Sequence, residues 1–310
     1  MNGMSSMQTS SKSGILYALT AFTLWAIAPI YFKEMSFIPA QEILAHRIIW
    51  SCLLVMILIV LLRYTDALKV VLRSPKTLAA MLISTALIAF NWGIFIWAIQ
   101  NNKILSASLG YYINPLISIL LGVMFFKDKL DRVKKAAVAL CFCAVAFEVI
   151  QFGSLPWIAL ILATTFGFYG LVRKKVAVDS FTGMAIETAI LLPFALVYLI
   201  LSDSPSANMF ENTSTVNWLL FASGPITMVP LMCFAAAANR VSLVTLGFFQ
   251  YIGPTGMFIL AVFLYGEPLS PEKLTTFVLI WSALAMLIVD SIRRIRKTKS
   301  AKLIDSNDEI

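Results

Sequence analysis

Ten apolar runs, each long enough to cross a lipid bilayer as a helix, account for most of this chain. They cover approximately residues 14–32, 43–62, 77–99, 104–126, 134–152, 154–172, 181–201, 216–238, 242–265 and 274–291. About 20 helical residues span the hydrocarbon core, and a helix satisfies its own backbone hydrogen bonds where water is absent. The sequence therefore predicts an all-α integral membrane protein with ten transmembrane helices.

The charged residues support this class and predict an orientation. Only 13% of the 310 residues are charged, against roughly 25% in soluble domains. The net charge of +8 arises mainly in short connectors, where cations meet anionic lipid head groups, so no nucleic acid is expected as a partner. The two tails and the even-numbered connectors hold 20 Lys and Arg, whereas the odd-numbered connectors hold Lys33, Lys103 and Lys273. This bias predicts that both termini are cytoplasmic.

The two halves of the chain resemble each other at an offset of 139 residues, at which Pro115 aligns with Pro254 and Asp128 with Glu267. Each half holds five spans, so the second half must insert upside down, as in many transporters. The predicted organisation has four parts: a cytoplasmic N-terminal tail (1–13), a first five-helix repeat (14–152), a second, inverted five-helix repeat (153–292) and a basic cytoplasmic C-terminal tail (293–310).

Acidic and hydroxyl residues follow the matched fourth spans. We expect Asp128 and Glu267 to stabilise the N-terminus of the next helix, because negative charge is favourable there. Asp131 and Ser270 are predicted to be the N-caps of those helices.

Three stretches resemble a known family: GILYALTAFTLWAIAPIYFK (14–33), LAHRIIWS (44–51) and NWGIFIWAIQNNKILSASLGYYINPL (91–116). With the ten spans and the repeat, they resemble the EamA-type branch of the drug/metabolite transporter (DMT) superfamily and, within it, the RarD permeases. The resemblance implies an EamA-type fold, a location in the bacterial inner (cytoplasmic) membrane and the transport of small solutes. It implies no particular substrate.

Motifs for ATP-driven or hydrolytic chemistry are absent from the sequence. There is no GxxxxGK[ST] nucleotide-binding loop, no HExxH motif and no Ser/His/Asp constellation, and His46 is the only histidine. The sequence therefore predicts no enzyme, no cofactor and no metal site. Transport would use an ion gradient or the gradient of the solute.

Polar and aromatic residues recur in six spans that lack charged residues. In hydrocarbon such polar groups need a partner or a wet cavity, and the resembling transporters line their central cavity with these same spans. The predicted cavity residues are Trp25, Tyr31, Asn91, Trp92, Tyr111, Tyr112, Asn114, Tyr169, Gln250 and Tyr251. Such a cavity favours neutral, zwitterionic or aromatic solutes over strongly anionic ones. The alternative for each residue is helix packing or a hydrogen bond to a neighbouring helix.

Pro115 and Pro254 are predicted hinges, because a proline inside a helix leaves the carbonyl four residues earlier without its donor. The alternative is a static kink. Glu187 is the first candidate for a proton-coupling group, and His46 and Arg47 are further candidates. For Glu187 the alternative is a structural hydrogen bond.

The predicted function is a secondary-active exporter of small metabolites or drugs that works by alternating access. A channel, a non-transporting membrane protein and a membrane-embedded enzyme are the alternatives. The expected partners are a small-molecule solute and the lipid bilayer, and a homodimer is left open.

Overall fold

The computed structural model describes residues 2–101, 104–153, 155–202, 204–266 and 271–307, and these residues form helices with no strand among them. The helices are α1 (Asn2–Glu34), α2 (Ala40–Leu61), α3 (Thr65–Arg73), α4 (Pro75–Gln100), α5 (Ile104–Phe126), α6 (Arg132–Phe152), α7 (Trp157–Val176), α8 (Ser180–Leu201), α9 (Ser214–Ala238), α10 (Leu243–Gln250), α11 (Ile252–Ile259) and α12 (Pro271–Asn307). Two short elements complete them, a 3₁₀ turn at Pro205–Ala207 and a π-helical turn at Leu260–Leu264.

Each apolar run predicted to cross the membrane lies on one of these helices, with α10, α11 and the π turn sharing the ninth run. Within the described residues, eight helical stretches are long and apolar enough to span a bilayer. The protein is therefore a multi-pass membrane protein. Helices α6 and α7 are not among these eight. Helix α6 carries charged residues near both ends, and α7 carries three near its C-terminus. The count of ten crossings stays a prediction.

One helix was not predicted. Residues Thr65–Arg73 form α3, a short amphipathic helix in what the hydropathy pattern marks as a connector. Its buried residue Val71 packs on Met81 and Val178, which joins this connector to the bundle.

The two aspartates after α5 have different roles. Asp131 is the N-cap of α6, as predicted, and accepts a hydrogen bond from the Lys134 amide (2.9 Å). Asp128 does not bind the start of α6, so that expectation was wrong. Its carboxylate instead accepts from the Val244 amide (3.3 Å) in the first turn of α10. Gly122 permits this contact, because a Cβ there would lie 2.8 Å from Asp128 Oδ2. Glu267 and Ser270 lie outside the described residues.

The two prolines occupy different surroundings. Helix α5 continues through Pro115, whereas the matching span in the second half is interrupted at Tyr251, three residues before Pro254. Residue 254 offers no amide to the carbonyl of Gln250, but Pro115 likewise offers none to that of Tyr111 and α5 is continuous. The missing amide alone therefore does not explain the interruption. Hinge motion at either proline stays a prediction.

The packing of the helices follows a regular pattern. Helix α2 packs on α8, α5 on α10 and α6 on α12. Helix α1 packs against α9, α10 and α11, while α7 packs against α4 and α5. The largest buried cluster includes Phe22, Tyr169 and Phe234, from α1, α7 and α9.

Candidate solute-binding site

Arg47 is a cation inside the helix bundle, about 10 Å from the start of α2. Its Nε donates to the Thr227 hydroxyl of α9 (2.6 Å), and Thr227 in turn donates to the Ser223 carbonyl (2.8 Å). The guanidinium carbon lies 5.4 Å from the centre of the Phe32 ring and 5.3 Å from that of Trp92. Aromatic rings at these distances attract a cation through their negative faces.

Two tyrosines complete this group. Tyr31 donates its hydroxyl to the Leu219 carbonyl, and both Tyr31 and Tyr111 are near enough to Arg47 to interact with its charge. The structure thus brings three predicted cavity residues, Tyr31, Trp92 and Tyr111, from three helices to the guanidinium of Arg47. We refer to Tyr31, Phe32, Arg47, Trp92, Tyr111 and Thr227 as the Arg47 cluster. Neither Phe32 nor Thr227 was predicted from the sequence.

The Arg47 cluster combines depth within the bundle with accessible surface. Arg47 and Tyr111 lie deep among protein atoms, yet Tyr111 keeps 40% of its surface accessible and Arg47 is only partly buried. This combination is what a residue lining an interior cleft would show, and the surrounding helices are α1, α2, α4, α5 and α9. Lining of a solute cavity by the Arg47 cluster stays a prediction.

Glu187, the first candidate for proton coupling, is held in a buried ion pair. Its carboxylate lies 3.7 Å from Arg173 Nη1 and accepts hydrogen bonds from the hydroxyls of Ser84 (2.6 Å) and Tyr169 (3.3 Å). The hydropathy pattern had assigned Arg173 to a cytoplasmic connector. A sequence signal for the pair does exist: Gly183 lies one helical turn before Glu187, and a Cβ there would overlap the Arg173 guanidinium.

His46 lies next to Glu42 at the start of α2. Both side chains are buried, and the Glu42 carboxylate accepts hydrogen bonds from the Ser202 hydroxyl (3.2 Å) and from that of Ser206. His46 Nε2 has no hydrogen-bond partner among the described residues. The Glu42 pairing connects α2 to the segment between α8 and α9.

Two of the predicted cavity residues connect helices. Asn91 donates to the Leu162 carbonyl and the Thr165 hydroxyl of α7, both at 2.8 Å. Gln250 of α10 donates to the Ser118 hydroxyl of α5 (2.9 Å). These contacts correspond to the alternative stated for polar residues in spans, a hydrogen bond to a neighbouring helix.

The remaining predicted cavity residues lie in three places. Trp25 and Tyr169 belong to the aromatic core around Phe234, where Tyr169 stacks on Phe234 at 5.9 Å. Tyr112 and Tyr251 pack in a cluster formed with α6 and α12. Asn114 has a buried Oδ1 without a partner among the described residues. Lining of the solute path by these residues stays a prediction.

Two surface grooves of about 350 Å³ each lie elsewhere, near Asp290 of α12. One also contacts Val133 and Ser282, and the other contacts Lys134 and Arg240. No predicted cavity residue lines either groove. We base the candidate site on the Arg47 cluster, because these grooves lack its deep cation and its aromatic rings.

Comparison with known proteins places the chain in a family. The model of the EamA-like transporter family matches residues 12–150. RarD of Escherichia coli K12 is 49% identical over 289 residues, which cover 93% of this chain and 98% of that protein. The chain belongs to the RarD family. This family is part of the DMT superfamily of membrane transporters, so the resemblance seen in the three sequence stretches is confirmed.

Other RarD-family relatives span the chain equally well. An uncharacterized transporter of Vibrio cholerae is 48% identical and covers 92% of this chain and 95% of its own length. A protein of Pseudomonas aeruginosa named chloramphenicol-sensitive protein RarD is 31% identical, with coverage of 93% and 97%. A protein of known crystal structure superposes with a TM-score of 0.69 over 88% of this chain and 96% of its own. At 18% identity, that likeness shows the fold alone.

Proposed function

We propose that this RarD-family protein is a secondary-active transporter that binds small solutes in the cleft beside the Arg47 cluster and exports them by alternating access. The observation that carries the proposal is a partly accessible cation deep in the bundle, surrounded by aromatic rings from several helices. Rings and a single fixed charge suit small aromatic or zwitterionic solutes, whether metabolites or drugs. A cation inside a transmembrane bundle typically marks a solute or ion path.

The proposed architecture is ten spans in two inverted five-helix repeats. The packing pattern supports it. With a two-fold axis in the membrane plane, a helix next to the axis packs against the equivalent helix of the other half. The contacts α2–α8, α5–α10 and α6–α12 join such equivalent helices. The same axis would map each remaining helix contact onto an equivalent contact in the other half. The contact of α1 with α10 and α11 is matched in this way by the contact of α7 with α5. Inverted repeats of this kind place the binding site at their interface.

The proposed orientation has both termini in the cytoplasm of the bacterial inner membrane. It is supported by the excess of Lys and Arg in the tails and the even-numbered connectors. Some of these cations have contacts within the protein. Arg173 binds Glu187, Lys174 donates to the carbonyls of Ala238 (2.8 Å) and Val241 (2.5 Å), and Arg240 donates to that of Ala236. Without them the excess is still large.

Counterflow in proteoliposomes tests the function. Vesicles containing the purified protein are loaded with excess unlabelled solute and diluted into a trace of the radiolabelled solute, with chloramphenicol and L-phenylalanine as the probes. A carrier accumulates label transiently, because the same site exchanges inside and outside solute. Simple equilibration without accumulation would indicate a channel. No protein-dependent flux with either probe or with other small aromatic solutes would contradict the proposal.

A further inference from the structure

Arg47 and Arg173 both lie within the described part of the helix bundle, but only one of them has a counterion there. Arg173 faces the carboxylate of Glu187. Arg47 forms no salt bridge with any described residue, and the acid closest to it along α2, Glu42, is already bound by two serine hydroxyls. A charge removed from water is normally paired, so Arg47 lacks the counterion that Arg173 has.

The hydrogen-bonding capacity of Arg47 is mostly unused. Of its five N–H groups, the Nε–H alone has an acceptor among the described residues, the Thr227 hydroxyl. Its Nη1 and Nη2 are not among the buried atoms that lack a partner, in contrast to Nε of Arg173. Both therefore retain accessible surface. The outer edge of the guanidinium can thus be reached from the cleft.

The neighbours of Arg47 position the group without neutralising it. Phe32 and Trp92 attract the cation, and Thr227 fixes the direction of Nε. A guanidinium held in this way presents two parallel donors, which match the two oxygens of a carboxylate. Tyr111 is exposed beside it and offers a ring face to an apolar group of the same solute.

We infer that the solute carries a carboxylate and that Arg47 binds it through two hydrogen bonds, so that the solute supplies the missing counterion. This inference rests on the proposed function and narrows its solute class to organic monoanions and zwitterions with an aromatic or apolar body. The Arg47 cluster contains one cation, which balances a carboxylate but not a phosphate dianion. A neutral solute would leave the guanidinium unpaired.

Ligand-induced thermal stabilisation of the detergent-purified protein tests this inference without requiring transport. The probes are phenylacetate, its neutral isostere phenylacetamide, phenyl phosphate, and phosphatidylglycerol as a lipid anion. Phenylacetate at tenfold its Kd should raise the Tm by about 3 °C, and phenylacetamide should not. Arg47→Gln should weaken phenylacetate binding about 10- to 100-fold, the range for hydrogen bonds to a charged group, while Arg47→Lys should retain part of the affinity.

Arg240→Gln is the matched control. Arg240 also lies over an aromatic ring, Tyr17 (5.1 Å), but it donates to the Ala236 carbonyl of its own helix and lies outside the Arg47 cluster. This variant should bind phenylacetate as the wild type does. If Arg47→Gln fails to fold, Arg47→Lys provides the comparison.

Equal stabilisation by phenylacetate and phenylacetamide, or no stabilisation by phenylacetate, would overturn the inference. Stabilisation by phosphatidylglycerol alone, with the same dependence on Arg47, would also overturn it and would assign the site to lipid. Stronger binding of phenyl phosphate would replace the carboxylate with a phosphate. Counterflow of a neutral probe that is unaffected by Arg47→Gln would leave the transporter proposal in place and reject the carboxylate.

Discussion

The guanidinium of Arg173 lies 3.7 Å from the carboxylate of Glu187, and these side chains keep only 1% and 5% of their surface accessible. The pair joins α7 to α8, and the hydroxyls of Ser84 and Tyr169 occupy other positions around the carboxylate. Removing both charges from water is costly, and the cost is offset only while both partners are present.

Breaking this pair should therefore destabilise the protein. Glu187→Gln leaves a buried cation unpaired and should lower the free energy of unfolding by about 3–5 kcal/mol, measured as a fall in Tm in detergent. Replacing both residues with methionine should recover most of that loss, since no buried charge remains. Glu272→Gln, at an exposed acid in the first turn of α12, is the control. A Glu187→Gln protein as stable as wild type would show that the pair has no structural role.

The pH dependence of transport distinguishes Glu187 from His46, two of the three predicted proton-coupling residues. A proton on Glu187 would leave Arg173 unpaired, whereas His46 has a ring nitrogen without a partner among the described residues and histidine titrates near neutral pH. We expect the counterflow rate of the wild type to vary between about pH 5 and pH 8, and that of His46→Gln to be nearly constant. If the counterflow rate of Glu187→Gln does not vary with pH, while that of His46→Gln varies as in the wild type, proton coupling belongs to Glu187.

A close contact between α5 and α10 depends on one glycine. A Cβ at Gly247 would lie 2.8 Å from the Pro115 carbonyl oxygen, so Gly247→Ala must separate the two helices and should cost about 1–3 kcal/mol. Gly93→Ala is the matched control, because no atom lies within 4 Å of its Cβ and alanine favours helix. Thermal unfolding of the two variants compares them. Equal Tm values would contradict this close packing.

The predicted hinges at Pro115 and Pro254 are tested by the rate of transport and not by the stability of the protein. Pro115→Ala and Pro254→Ala restore an amide donor to the Tyr111 and Gln250 carbonyls, which should stiffen both helices. We expect counterflow initial rates to fall several-fold while the amount of inserted protein and its Tm do not. Full transport rates in both variants would identify the prolines as static kinks.

The hydrophobic pattern predicts the helices well, because about 20 apolar residues in this chain can satisfy their backbone groups only as helices. The N-cap at Asp131 is also predictable, because an aspartate before a helix can accept a hydrogen bond from a free amide of the first turn. The pattern does not predict where a charged residue near a helix end points. Arg173 precedes Lys174 and Lys175 and reads as part of a cytoplasmic connector, yet α7 continues to Val176 and turns Arg173 toward Glu187.

The candidate site was predicted in part. The sequence singles out Tyr31, Arg47, Trp92 and Tyr111, because polar groups within spans require an explanation. It does not reveal that these four lie together while Asn91 binds α7. That distinction depends on the rotation of each helix about its axis, which long-range packing sets. Thr227 gives no signal at all, since a threonine within an apolar helix usually binds its own backbone.

Sided labelling of Tyr111→Cys tests most directly the proposal that a cleft beside Arg47 opens to each side of the membrane in turn. With the four native cysteines replaced, a membrane-impermeant maleimide is applied to right-side-out and to inverted vesicles. We predict labelling from both sides, slowed by phenylacetate, and no labelling of Leu120→Cys, which is exposed on the same helix at a position expected to face lipid. Labelling of residue 111 from neither side, or from one side under all conditions, would contradict alternating access at the Arg47 cluster.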